Sequence, residues 1–213
     1  MKLYGYSRSS AAFRVRIALN LKGVPYEAVS IHLRRKDQFQ PDYLGVNPQA
    51  LVPVLEIDGR RLIQSVPIIE YLDETRPQPP LLPQDAIGRA RVRGLAAIVA
   101  CDIHPLNNLR VLRYLQGPLG HSAGDVEAWY NHWIETGFAA FERLLATDEG
   151  AGAFCHGDRP GLADIALVPQ VVNAERYRLD MEPYPRIAAI YRECMQLDPF
   201  RNAHPRQQPD WEE

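Results

Sequence analysis

The sequence predicts an α/β domain followed by an all-helical domain, and three observations carry that prediction. A strand, a polar turn, a helix and a second strand open the chain. A strand pair around Asp58-Gly59 and a further helix complete residues 1–80. Beyond a proline-rich break, the remaining apolar periodicity is helical. At 213 residues with 46% hydrophobic content, the chain can supply cores for two small domains. Its net charge of −2 gives no general attraction to nucleic acid or to an acidic membrane surface, so any anion must be held by local arginines.

Leu3 to Tyr6 read as a short strand. Ser7-Arg8-Ser9-Ser10 then supplies N-cap side chains before the helical period of Phe13 to Leu21, which Lys22-Gly23 stops. Tyr26 to Leu33 alternates Val29, Ile31 and Leu33 with polar partners as a second strand, which makes a βαβ unit with a parallel pair the economical reading. Leu51 to Ile57 is strand-like and Arg61 to Ile63 continues it as a hairpin. Pro53 has no amide hydrogen for a ladder, so it is expected at an edge or a strand start, where a cis peptide exposes its neighbour's backbone. Ser65 is expected to cap a helix over Val66 to Thr75, with Ile68, Ile69, Tyr71 and Leu72 inward.

Four prolines in Pro77-Gln78-Pro79-Pro80-Leu81-Leu82-Pro83 exclude helix and sheet, so a stiff linker is expected there, separating domains at 1–80 and 86–213. Helices are expected over about Ala86 to Tyr114, Val126 to Leu145, Leu162 to Tyr177 and Tyr184 to Gln196, before a proline-rich tail. Arg14 and Arg16 are expected in structural ion pairs or on the helix surface. No apolar run approaches a bilayer span, and the chain enters a strand at once without a signal-peptide core, which points to the cytoplasm. Cys101, Cys155 and Cys194 show no CxxC spacing and are expected as buried thiols. The six histidines form no ligand cluster, so no metal is expected.

Where a strand turns into a helix, hydroxyls and first-turn amides face one spot, and the helix dipole favours an anion there. Ser9 and Ser10 occupy such a turn, and a thiolate is the fitting anion. Lowering a thiol pKa from about 8.5 by ~2 units takes about 2.7 kcal/mol, within reach of a helix end plus a hydroxyl. The residues alone also allow the plainer reading that both serines merely cap the helix.

The element order, together with particular motifs, resembles the glutathione transferase superfamily over essentially the whole chain, and within it the zeta class. The motifs are Arg8-Ser9-Ser10 with Arg14-Val15-Arg16-Ile17-Ala18-Leu19, then Asn47-Pro48, Val52-Pro53, Gln64-Ser65 and Ile69-Glu70-Tyr71-Leu72. Further on stand Pro105-Leu106-Asn107-Asn108, Val168-Pro169-Gln170-Val171 and Asn173-Ala174-Glu175-Arg176. The resemblance implies a thioredoxin-like N-terminal domain, an all-α C-terminal domain, glutathione as cofactor and a homodimer. It implies that Ser9, Ser10 and Arg8 serve the reaction and that Ser9, Ser10, Ala11, Gln38, Val52, Gln64 and Ser65 hold glutathione. Asp102, His104 and Asn108 follow the region where the dimer partner approaches glutathione, with His104 and Asn108 expected on one helix face.

The class includes maleylacetoacetate and maleylpyruvate isomerases, whose substrates are cis-enol dicarboxylates. Arginine forks match carboxylates, and Arg8, Arg110 and Arg176 are the candidates. The implied reaction is thiolate addition to the cis double bond, rotation and elimination. Conjugation or dehalogenation of small α-halo acids, or a non-catalytic glutathione-binding module, are the rival expectations. Ala11 stands where many zeta members have cysteine, which removes any enzyme thiol from that turn.

Overall fold

The computed structural model describes residues 1–212. The chain divides into two compact units, one formed by residues 1–81 together with the chain from Met195 on, the other by Leu82–Cys194. The linker-based expectation assigns the whole chain beyond residue 86 to the helical domain; the structure returns the C-terminal segment to the first unit.

In the first unit, β1 (Lys2–Gly5), α1 (Ser10–Leu21) and β2 (Glu27–Ser30) form the expected βαβ, with β2 shorter than its alternation suggests. After a short helix α2 (Pro41–Leu44) come β3 (Val54–Ile57), β4 (Arg60–Ile63) and α3 (Ser65–Thr75). The sheet order is β2-β1-β3-β4. β1 and β2 are parallel, with Leu3 opposite Ala28, while β3 runs antiparallel to both its neighbours, with Leu55 opposite Leu3 and Leu62. Pro53 precedes the first residue of β3, and the Val52-Pro53 peptide is cis, as is Gln78-Pro79. The central position of β3 tolerates that proline because the ladder begins one residue later.

Helix α1 is buried on every side from Ser10 to Leu19, and packs on α3 and on α9 (Asp198–Ala203). A helix buried all round has no surface for its arginines. Arg14 and Arg16 are accordingly interior, against the surface expectation. Arg14 is 1% exposed and donates through Nη1 to Ser65 Oγ at 3.3 Å. Arg16 donates to the carbonyls of Ala203, Tyr6 and Ser7 at 2.9, 3.3 and 3.1 Å, and burial lowers its pKa to about 10. Neutral carbonyls satisfy its donors without a buried carboxylate. The opposite side of the sheet packs Ile31 and Val54 against Tyr43 of α2.

The helical unit holds α4 (Ala86–Ala97), a π-helical turn (Ile98–Ile103), α5 (Leu109–Gln116), α6 (Ala123–Thr147), α7 (Leu162–Arg176) and most of α8 (Pro185–Gln196). The single long helix expected over Ala86 to Tyr114 is thus broken. Pro105 carries no amide hydrogen, Asn107 N bonds back to Ile103 O, and Asn108 turns extended at ψ 142°. Gly137 of α6 lets the π-turn approach: a Cβ there would lie 2.3 Å from Ile103 Cδ1. Cys155 and Cys194 are buried as expected, whereas Cys101 is exposed.

Asp164, 1% exposed in the first turn of α7, accepts the amides of Cys155 and Gly161, each at 2.8 Å. Burial pushes its carboxyl up, opposed by those two amides. Asp164→Ala strands both buried donors, and at about 1–3 kcal/mol per orphaned group it should cost about 2–6 kcal/mol. A fall in denaturant midpoint with unchanged m-value is the expected readout; an unmoved midpoint contradicts the role.

Candidate functional site

Strand polarity assembles the site in the first unit. The C-terminal end of β1, the N-terminal end of β3 and the C-terminal end of β4 share one end of the sheet, because Tyr4 pairs Val54 and Val54 pairs Ile63. The turn Tyr6 to Ser9, the segment Val52-Pro53 and the pair Gln64-Ser65 leave the sheet from that end. Two helix N-termini, those of α1 and α3, follow directly from it. Arg14 Nη1 joins them by reaching Ser65 Oγ across 51 residues of sequence.

Ser9 is the N-cap of α1, extended at φ −75° and ψ 113°, and its Oγ accepts the Ala12 amide at 3.2 Å. The capping reading of Ser9 is therefore realised. It leaves the functional one intact, because a hydroxyl that accepts an amide retains its own O–H to donate. Ser9 is half-buried, while Ser10 and Ala11 are buried in the first turn. Their amides precede the first intrahelical bond, Phe13 N to Ser9 O, so helix geometry gives them no intrahelical acceptor. An anion at this turn meets a hydroxyl and the positive end of α1 together.

Ser65 is buried and is the first residue of α3 rather than its cap; Gln64 is the cap residue. Gln64 sits at φ 69° and ψ 127°, which a side chain disfavours. Its Nε2 donates to Gln49 Oε1 at 3.2 Å. That conformation turns an exposed carboxamide and the start of α3 toward the same end of the sheet. Gln38 lies in a 3₁₀ turn (Asp37–Phe39) after β2 and is buried, with no hydrogen bond to its Oε1. A buried carboxamide offers an acceptor or, turned over, a donor.

Arg8 follows Ser7 in the turn. Its guanidinium lies over the Trp211 ring, 4.7 Å from the centroid, and Nη2 donates to the Glu212 carbonyl. Sequence reasoning misses this partner, since nothing in a tail at residues 210–212 signals a return to β1.

The other candidates belong to the helical unit. Asp102 is exposed within the π-turn and His104 is half-buried just after it. Asn108 caps α5, accepting the Arg110 amide at 3.1 Å. His104 and Asn108 therefore do not share a helix face: the break at Pro105 separates them. Arg110 is exposed on α5. Arg176 ends α7, exposed, with Cζ 5.2 Å from the Tyr177 ring centroid and Nη2 3.5 Å from Tyr130 Oη. Tyr130 and Tyr177 stack at 3.7 Å, and burial pushes the Tyr130 phenol up to about 12. The aromatic pair gives the Arg176 stem a rigid seat.

A sheet end that presents two helix N-termini beside a cis-proline, followed by a helical unit, defines a class. The family models for the glutathione S-transferase N-terminal and C-terminal domains match residues 3–80 and 127–193, and the chain belongs to that family. Within it, the chain is 51% identical to a maleyl pyruvate isomerase whose holo structure is that of a bacterial zeta-class glutathione-S-transferase, over 99% of both chains with a TM-score of 0.97. It is 49% identical to maleylacetoacetate isomerase of Pseudomonas aeruginosa over 99% of this chain and 98% of that one. A maleylacetoacetate isomerase of Methylobacterium extorquens with bound malonate and glutathione matches with 43% identity over 98% of both chains and a TM-score of 0.96.

The strain at Gln64 is testable without any ligand. Gln64→Gly removes a cost of about 1–3 kcal/mol and adds a smaller unfolded-state entropy, so stability should rise by about 1 kcal/mol. A lower thermal midpoint in that variant would show that the backbone is relaxed there.

Proposed function

We propose that the protein is a glutathione-dependent cis-trans isomerase converting maleylacetoacetate to fumarylacetoacetate in aromatic amino acid breakdown. The observation that carries this reading is the pair of helix N-termini at one sheet end, in a chain about half identical to isomerases over its length. Maleylpyruvate, in gentisate breakdown, is the second reading, supported by the 51% identity to a maleyl pyruvate isomerase.

The residues present suit glutathione. The α1 N-terminus with the Ser9 hydroxyl matches a thiolate, and the α3 N-terminus with Gln64 and Ser65 matches the γ-glutamyl carboxylate. The Val52 backbone, freed from the ladder by Pro53, matches the cysteinyl peptide unit, and the buried carboxamide of Gln38 matches the glycine end. Glutathione, when bound, supplies a thiolate that adds to the conjugated cis double bond, allows rotation and departs unconsumed. Ser9 donates its O–H to that sulfur while accepting from Ala12, and the Ser10 and Ala11 amides spread the charge along the helix start. Ser10, being buried, acts through its backbone. Arg8, Arg110 and Arg176 bind the dicarboxylate; Arg176 is held by Tyr130 and Tyr177 so that little side-chain freedom is lost on binding. Ala11 in the first turn offers no thiol beside the glutathione sulfur.

The same reading carries a cytoplasmic homodimer, with Asp102, His104 and Asn108 on the partner-facing side. The exposure of Cys101 and Asp102 supports that side's access to a partner, and a solution mass of twice the 24.1 kDa chain is the expected measurement.

Purified protein should discharge the absorbance of freshly made maleylacetoacetate, or of maleylpyruvate, only with glutathione present and with no net loss of it. Stoichiometric glutathione consumption, or no turnover of either acid, refutes the isomerase. Arg176→Ala should raise the substrate KM about tenfold with glutathione affinity retained; unchanged kinetics refute its role. Ser9→Gly, which costs a helix cap only a few tenths of a kcal/mol, should keep stability yet raise the bound thiol's pKa by about 1 unit, read from thiolate absorbance against pH.

A further inference from the structure

Two buried polar side chains converge on one backbone oxygen next to Val52. Tyr43 of α2, 4% exposed, donates its hydroxyl to the Leu51 carbonyl at 2.6 Å, and Asn47, 1% exposed, donates Nδ2 to the same oxygen at 2.8 Å. Both donors are themselves fixed. The Asn47 amide bonds back to the Tyr43 carbonyl at 2.8 Å, and Asn47 Oδ1 accepts the Gln49 amide at 3.0 Å. Burial pushes the Tyr43 phenol up, so its proton stays on the oxygen as the donated one. One donor satisfies a buried carbonyl, and this one has two.

The direction of a carbonyl sets that of the N–H in the same peptide. In a trans peptide the two point in opposite directions, and the Leu51–Val52 bond is trans. The Leu51 oxygen is held toward buried Tyr43 and Asn47, so the Val52 N–H points away from them. Among the described residues that N–H has no hydrogen-bond acceptor, and β3 begins only at Val54, so no ladder claims it. The Val52 side chain packs on the cluster of Ile31, Tyr43 and Val54, which secures the same peptide from its other end.

We propose that Tyr43 is a positioning residue for glutathione: together with Asn47 it anchors the Leu51 carbonyl and so aims the Val52 N–H at the cysteinyl carbonyl. This rests on the glutathione reading of the Val52 backbone. Two effects act in the same sense. A carbonyl that accepts hydrogen bonds polarises its own N–H, which strengthens the next bond by only about 10–30%. Fixing the direction of the N–H before the ligand arrives is the larger share, because no loop freedom is then lost on binding. The anchor therefore acts on recognition of the cysteinyl carbonyl and leaves the γ-glutamyl and thiolate subsites alone.

The test compares two ligands that differ only in that group: γ-glutamylcysteine amide, which has the cysteinyl carboxamide, and γ-glutamylcysteamine, which lacks it. Calorimetry on the full chain, well below its thermal transition, should show the unaltered protein preferring the first about tenfold, the worth of one hydrogen bond. Tyr43→Phe keeps the ring, and the Leu51 carbonyl keeps its bond from Asn47, so no buried acceptor is orphaned. In that variant the preference should shrink to about threefold, through weaker carboxamide binding, with γ-glutamylcysteamine affinity unchanged. An undiminished preference in Tyr43→Phe overturns the proposal while the Val52 assignment stands. An equal loss of affinity for both ligands also overturns it, since that is the mark of a merely structural hydroxyl. If the unaltered protein binds the two ligands equally, the Val52 assignment falls and takes the proposal with it. If the preference depends on Tyr43 but the unaltered protein isomerises neither acid, the proposal stands and the isomerase reading falls.

Discussion

The antiparallel register of β3 against both β1 and β4 is the constraint on which the site depends. With Leu55 opposite Leu3 on one side and Leu62 on the other, β1 and β4 finish where β3 begins. The segments that leave β1 and β4 then start helices at the same end of the sheet, and Val52-Pro53 enters β3 between them. Slipping β3 by one residue would exchange the faces of the buried neighbours Val54 and Leu55 and unseat both from their packing, so the apolar pattern that makes the core also fixes which strand ends meet.

Buried arginines couple this sheet end to the rest of its unit. Arg14 ties the interior of α1 to the first residue of α3, and Arg16 ties the β1–α1 turn to the last residue of α9. The donors of Arg16 are satisfied by neutral carbonyls rather than by a counter-charge, which suits an interior where an unsatisfied guanidinium is costly. Arg16 also sets the path of the chain into the tail that returns to Arg8. The β1–α1 turn is thereby braced from within by Arg16 and from outside by Asp210.

Much of this was legible in the chain. The βαβ opening, the hairpin at Asp58-Gly59, the proline linker and four helical stretches follow from periodicity and breakers, and the motifs around Ser9, Val52 and Gln64 located the family. Other readings failed for physical reasons. Helical period runs through Pro105 because the apolar residues on both sides keep their spacing, while the missing amide breaks the ladder. Arg14 and Arg16 read as ion-paired or surface charges because a sequence does not show that every face of α1 is covered. Ser65 reads as a cap because it is the residue type that caps, whereas the strained Gln64 occupies that place.

What the sequence determined by itself is local: which segments hold a helix or strand, where the chain stiffens, and which hydroxyls, carboxamides and guanidinium groups stand at which turns, because each depends on neighbours a few residues away. The tertiary structure alone decided what those groups meet. Only folding brings Asp210 to Ser7, 203 residues apart in the chain, and Trp211 under Arg8, and such contacts leave no periodic trace in the sequence. They arise from packing α9 against α1 and carrying the following residues back to the sheet end, a consequence of burial rather than of any local preference.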